Sequence, residues 1–328
     1  MIGEVTRAIN EAESYFLTSH LNPDGDAVGS LLALNSFLRE NNRKTTPFLA
    51  DPLPKNFSFL PNSDTVINSL ADVKGQSFDL TIVVDSTDWE RTGMGSDPEV
   101  ANNLNLGTVI NIDHHASNEN FGHINIVDPE TSAAGEIIYD IITATKLPLS
   151  LDVAICLYTA IMSDTGNFTY SNTTARSFEI SEKLVKIGVK PDKVAEEINE
   201  NYSISRLELL RMALDTLEFS DDNTIGAMTV TQQMFKKTKS GPEIIEGFID
   251  YPRHISGVKI AVLFRELEEG GYKVSFRSRD TLDVSRIAEY FEGGGHTNAS
   301  GCTIKGKLSD VKPKVFDVIK STLKEGKK

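Results

Sequence analysis

The first half of the chain alternates short apolar runs with longer amphipathic ones. Tyr15–Ser19, Thr46–Ala50, Leu80–Val84 and Thr108–Ile112 are short apolar runs with the length and the aromatic or β-branched content of strands. Asp24–Glu40 follows the first of them and carries Ala27, Val28, Leu31, Leu32, Leu34, Phe37 and Leu38 at helical spacing, which gives it a broad apolar face. Helices are also expected over Ala133–Thr145, Asp152–Ser163 and Thr174–Ile187, the last closed by Gly188 with Pro191 beyond. Such alternation predicts an α/β fold with a Rossmann-like parallel sheet covered by helices. The pattern changes after Asp192–Leu217, a charged, helix-prone stretch that reads as a connector. Thr224–Val230, Val258–Leu267 and Tyr272–Arg277 are longer strand candidates, the last two joined by Glu268–Gly271 as a hairpin, and helices are expected over Asp283–Phe291 and Ser309–Lys324. The predicted division is a first domain over residues 1–190, a helical linker over 191–219 and a smaller α+β domain over 220–328.

Composition narrows the function. With 33 basic and 47 acidic residues the formal charge is −14, so the surface as a whole repels a polyphosphate backbone and long duplex DNA is excluded as a partner. Divalent cations bound among converging carboxylates would reverse the local field and admit a small anionic substrate. Residues 1–20 lack the basic-then-apolar pattern of a leader, and no segment approaches the roughly 20 apolar residues that span a bilayer, so a cytoplasmic protein without a membrane partner is expected. Cys156 and Cys302 are isolated in sequence and read as buried thiols.

The chemistry gathers at predicted strand ends, where open α/β sheets bind their ligands. His20, Asp24 and Asp26 lie in the segment His20-Leu-Asn-Pro-Asp-Gly-Asp26, between the first strand and the first helix. Asp24 as a helix cap and Asp26 as a first-turn acid would each be ordinary alone. A histidine with two aspartates within seven residues favours a metal site. Asp85 follows Thr81–Val84, and Asp113-His114-His115 follows Val109–Ile112, where two adjacent histidines cannot both face a core. Asp164 ends an otherwise apolar helix. Oxygen donors with a minority of imidazoles and no cysteine suit Mn²⁺ or Mg²⁺ better than structural zinc. Four carboxylates and two imidazoles exceed the needs of one catalytic ion, whereas two ions about 4 Å apart would use them all, with Asp85 as the candidate bridge.

These residues, with Phe276-Arg-Ser278, Gly293-Gly-Gly-His296 and Asn298-Ala-Ser-Gly301 of the second half, resemble the DHH phosphoesterases that carry a C-terminal DHHA1 domain. Within that family the likeness is to the stand-alone enzymes that act as nanoRNases and phosphoadenosine phosphate phosphatases. The resemblance implies two Mn²⁺ ions, with Mg²⁺ or Co²⁺ as substitutes. His20, Asp24 and Asp85 would hold one, and Asp26, Asp85, His114 and Asp164 the other. It leaves His115 to contact the scissile phosphate and Asp113 to orient a histidine. It places substrate phosphates on Arg277, Ser278, Arg279, Gly294, Gly295 and His296, in a cleft between the domains. Arg253 and His254 are not separable from an ordinary surface loop.

The implied substrates are RNAs of a few nucleotides, cleaved to 5′-mononucleotides, and 3′-phosphoadenosine 5′-phosphate. Cyclic di-AMP or a linear dinucleotide is the runner-up, and a homodimer is compatible with the pattern. Inorganic pyrophosphatases of the superfamily match poorly after the linker, and single-strand exonucleases carry a further fold for which no residues remain. A non-catalytic Rossmann module lacks its G-x-G-x-x-G, since ligating side chains stand in that position.

Overall fold

The strand-like runs of the first half pair in parallel. The strands are β1 (Ser14–Thr18), β2 (Lys44–Phe48), β3 (Leu80–Val84), β4 (Thr108–Asp113) and β5 (Ile124–Val127), and their order is β2–β1–β3–β4–β5. All five residues of β3, the central strand, are buried, as expected of a parallel strand covered on both faces. This computed structural model describes residues 2–96, 104–199, 202–279 and 282–325, and the chain divides into two compact units, Met1–Asn201 and Tyr202–Lys328. Two elements of the first unit escape the periodicity. The N-terminal helix α1 (Ile2–Glu11) buries only Val5, Thr6 and Ile9, and β5 is a four-residue edge strand with a single buried position.

Around the sheet lie α2 (Gly25–Glu40), α3 (Ala134–Ala144), α4 (Leu151–Asp164) and α5 (Ala175–Ile187). Helix α2 is buried continuously from Gly25 to Leu38, because α4 closes over the side that would otherwise meet solvent. Their approach depends on two glycines one helical turn apart. A Cβ on Gly29 would stand 2.7 Å from the carbonyl oxygen of Cys156 and 2.8 Å from the amide nitrogen of Ala160, and one on Gly25 would stand 2.1 Å from Ser163 Oγ. The helices therefore run antiparallel, with the start of α2 against the end of α4. Both cysteines are buried and unpaired.

The connector stretch divides between the units. Helix α6 (Pro191–Asn199) sends Val194 into the first core, whereas α7 (Ile204–Leu214) buries Leu209 and Ala213 in the second unit. The second unit has a six-stranded mixed sheet made from β6 (Glu218–Phe219), β7 (Ile225–Val230), β8 (Ile260–Glu266), β9 (Tyr272–Ser278), β10 (Gly294–His296) and β11 (Ala299–Ile304). Its order is β10–β11–β9–β8–β7–β6, and only β7 and β8 pair in parallel. On one face the core forms under α10 (Ser285–Tyr290) and α11 (Leu308–Glu325). On the other, α7, α8 (Gln232–Thr238) and α9 (Asp250–His254) cover β7 and β8. The glycine-rich run 293–301 forms the β10–β11 hairpin, which low β propensity conceals in the sequence. Among the described residues no helix is long and apolar enough to cross a membrane.

At an open helical position, replacing glycine by alanine stabilises by about 1 kcal/mol. Gly29→Ala should instead lower stability by about 2 kcal/mol, because the new methyl meets backbone atoms of α4 rather than a movable side chain. Urea unfolding measures this, and an unchanged or raised midpoint would show that the two helices can yield.

Candidate metal centre

The carboxyl ends of β1, β3 and β4 and the facing ends of α2 and α4 supply one cluster. His20 follows β1, Asp85 is the first residue beyond β3, and Asp113, the last residue of β4, leads into His114 and His115. Asp24 is the N-cap of α2, its Oδ1 accepting the amides of Asp26 and Ala27, and Asp164 is the last residue of α4. Asp85 turns the chain at φ 54°, a left-handed conformation unfavourable for a residue with a side chain, while its amide donates to the Ile112 carbonyl at 2.8 Å. That turn is held by the neighbouring strand, and it aims a carboxylate above the sheet edge.

His20 Nε2 lies 3.4 Å from Asp85 Oδ2 and 3.9 Å from Asp24 Oδ1. His114 Nε2 lies 3.5 Å from Asp85 Oδ1, 3.7 Å from Asp164 Oδ2 and 3.8 Å from Asp26 Oδ2. Two groups could each hold a cation, His20 with Asp24 and Asp85, and Asp26 with His114 and Asp164, each having donor atoms within 4.8 Å of one another. Asp85 turns one oxygen to each group. A third set, Asp85 with His114 and His115, meets the same distance criterion. His115, however, holds Asp113 Oδ1 through Nδ1 at 2.7 Å, so that nitrogen is already committed.

The surroundings orient each donor. His20 Nδ1 lies 2.8 Å from the Leu21 carbonyl and His114 Nδ1 3.3 Å from the Thr131 carbonyl. A carbonyl only accepts, so each Nδ1 carries a hydrogen and each Nε2 is the ring atom turned toward the carboxylates, available to a cation once it is free of its proton. Asp26 accepts the Ala134 amide at 2.6 Å, the Gly135 amide at 3.0 Å and the Ser30 hydroxyl at 2.9 Å. It thereby caps α3, whose own N-cap, Ala133, has no side chain to do so. Asn172 Nδ2 donates to Asp164 Oδ2 at 3.2 Å, and Asn118 Nδ2 to Asp113 Oδ2 at 2.6 Å. Sequence reasoning passes over Ser30, Asn118, Thr131, Ala134, Gly135 and Asn172. Only Ser30, one turn beyond Asp26, carried a local signal.

The second unit holds the remaining candidates. Arg277 is half-buried on β9 and donates to the Phe276 carbonyl at 3.1 Å, and the Arg279 amide donates to the Lys259 carbonyl. Ser278 faces inward, its hydroxyl donating to the Leu282 carbonyl at 2.5 Å. Gly294, Gly295 and His296 form the edge strand β10. Arg253 pairs with Asp250 within α9.

Residues 14–161 match the DHH family, N-terminal domain, and residues 227–325 match the DHHA1 domain. The bifunctional oligoribonuclease and PAP phosphatase NrnA of Thermus thermophilus is 31% identical, over 98% of this chain and 94% of that protein. The chain belongs to the DHH family. The protein of the same name from Bacillus subtilis is 28% identical to this DHH chain over 92% of each. The crystal structure of an exopolyphosphatase-related protein from Bacteroides fragilis superposes with a TM-score of 0.89 at 28% identity, covering 99% of this chain and 95% of that one. This DHH protein is a phosphoester hydrolase.

The electrostatics of the DHH cluster fit cations. Burial, then the neighbouring carboxylates of Asp26 and Asp24, push Asp85 well above the usual carboxylate range, and burial also raises Asp26. Burial and Asp26 bring Asp164 up to about 7. Burial opposes charge on His114, yet Asp26, Asp85, Asp164 and Asp113 outweigh it and carry the imidazole to about 9. Asp113 moves the other way: its burial is overcome by hydrogen bonds from His115 and Asn118 and by the His115 charge. Asp85 Oδ1 is buried without a hydrogen-bond partner, an acceptor that a cation would satisfy.

Cation binding in this DHH site must displace these protons. Asp164 holds its proton at pH 6 and has released it at pH 8, so the apparent Mn²⁺ affinity should rise at least about tenfold across that interval. Calorimetry in two buffers of different ionisation enthalpy should show proton release. An affinity flat from pH 6 to 8 would count against the cluster as the binding site.

Proposed function

We propose that this DHH protein hydrolyses RNAs of a few nucleotides to 5′-mononucleotides and removes the 3′-phosphate of 3′-phosphoadenosine 5′-phosphate, using two Mn²⁺ ions. The observation that carries the reading is Asp85, buried, held in a left-handed turn and directing one oxygen to each of two candidate ligand groups. His20, Asp24 and Asp85 would hold one ion, and Asp26, Asp85, His114 and Asp164 the other. Two such ions would supply Lewis acidity toward the phosphoryl oxygens and a water of lowered pKa. The names of the relatives support the substrate classes.

Asp113 fixes His115 through Nδ1, which leaves Nε2 as the atom that donates a hydrogen bond or proton to the scissile phosphate or its leaving oxygen. On the substrate side, Arg277 and Arg279 with the amides of Gly294 and Gly295 and with His296 engage the phosphates. Ser278 contributes by pinning the end of β9 from inside.

The test is a substrate panel with Mn²⁺ and with chelator: phosphoadenosine phosphate, short RNAs, linear and cyclic dinucleotides, pyrophosphate and long single-stranded DNA. Full activity in chelator, or a preference for pyrophosphate or long DNA, would sink the reading. Asp85→Asn should lose turnover together with both ions. His115→Gln should lower kcat by about 100-fold and keep both ions. Loss of an ion from His115→Gln would instead make His115 a ligand. Arg277→Ala should mainly raise KM.

A further inference from the structure

Strand β9 alternates cleanly. Tyr272, Val274 and Phe276 enter the core under α10 and α11, while Lys273, Ser275 and Arg277 line the opposite face. Over β7 and β8 that opposite face is covered by α7, α8 and α9, which bury Ala261 and Leu263. Beyond β8 the face carries Lys273, Ser275 and Arg277 of β9 beside Thr303, Gly301 and Ala299 of β11, which pair with them in that order, and none of the six is buried. Gly301 leaves the floor flat opposite Ser275.

Two features mark the Lys273 end of this row. An open groove of about 330 Å³ lies there at the sheet edge, lined by Lys273, Gly301, Cys302 and Thr303 on the sheet and by Phe291, Glu292 and Gly293 of the segment entering β10. Lys273 also stands directly opposite Arg265 of β8, so two cations share one cross-strand position in a chain of net charge −14. Like charges so placed are unfavourable unless an anion offsets them, and Glu269 and Glu292 are the carboxylates nearby. Phe291, on the groove wall, meets Tyr290 at the end of α10 edge-on at 5.0 Å, and Tyr290 is 70% exposed.

We propose that Lys273 and this groove form a distal nucleotide subsite that takes a backbone phosphate of single-stranded RNA five or more residues long, with a base against Tyr290 and Phe291. The proposal rests on the reading that Arg277 engages a substrate phosphate. Lys273 and Arg277 lie four residues apart on one strand face, about 13 Å. That span separates phosphates that are not neighbours in an extended oligonucleotide, so a nucleoside bisphosphate or a dinucleotide held at Arg277 does not reach Lys273. Sequence-tolerant single-strand recognition is built from these parts, a cation for each phosphate and an aromatic face for a base.

The experiment compares kcat/KM for a dinucleotide and a pentanucleotide RNA in the wild type and in Lys273→Ala, Lys273→Arg and Tyr290→Ala. Lys273→Ala should lower the pentanucleotide-to-dinucleotide ratio about tenfold through KM, and Lys273→Arg should restore it. The dependence of log KM for the pentanucleotide on log salt should also become shallower by about 0.7 in Lys273→Ala, the signature of one lost phosphate contact. Tyr290→Ala should lower the same ratio without changing that slope. If wild type cleaves both RNAs and Lys273→Ala affects them equally or not at all, the subsite is overturned while the proposed function stands. If wild type cleaves neither, the proposed function fails and the subsite with it.

Discussion

Two carboxylates inside one small volume set the terms for the first unit. Asp26 and Asp85 are 1% and 2% exposed, and Asp24 and Asp164 add to the repulsion they feel. Burying a carboxylate costs several kcal/mol unless partners offset it. For Asp26 the fold supplies the first amides of α3 and the Ser30 hydroxyl. For Asp85 it supplies imidazoles and leaves one oxygen without a donor. Much of the surrounding architecture serves to bring these groups together. Gly25 and Gly29 let α4 carry Asp164 to the start of α2, and the left-handed turn after β3 keeps Asp85 from continuing along the strand. Where no cation is present, the raised values of Asp164 and His114 show protons partly filling the same need.

The three imidazoles divide by what holds their Nδ1 atoms. His20 and His114 face backbone carbonyls, and His115 faces the Asp113 carboxylate. Each carbonyl fixes the tautomer that leaves Nε2 facing the carboxylate cluster, whereas the carboxylate ties His115 through Nδ1. Adjacent residues on one strand end thus differ in orientation because their partners differ, Thr131 from the segment before α3 for one and Asp113 at the end of β4 for the other.

The sequence shows the strand ends well, and with them most of the cluster. The runs before His20, Asp85 and Asp113 are largely apolar, aromatic in the first and β-branched in the other two, because a parallel strand is buried on both faces, and the candidate ligands begin where each run stops. Long-range supports leave no such trace. Ala134 meets Asp26 across 108 positions, and a backbone amide has no identity in sequence. The β10–β11 hairpin is hidden because its glycines serve close approach: a Cβ on Gly293 would stand 2.3 Å from the Gly301 carbonyl oxygen. In the second unit, the alternation along β9 puts Arg277 on the outer face and turns Ser278 inward, its hydroxyl on the Leu282 carbonyl.

The charge of the chain bears on substrate length. A net charge of −14 repels every phosphate that reaches the surface, but in physiological salt the effect fades beyond about 8 Å. Each added nucleotide therefore meets mainly the charges beside it. On the proposed reading, the second unit meets one phosphate at Arg277 and Arg279 and a more distal one at Lys273. Beyond Lys273 lie Glu268 and Glu269 of the β8–β9 turn and Glu292 at the groove wall. A longer strand would thus lay further phosphates against carboxylates, and each would add repulsion without a compensating contact. Preference for short RNA can then arise from where the local cations end, with no wall needed to close the site.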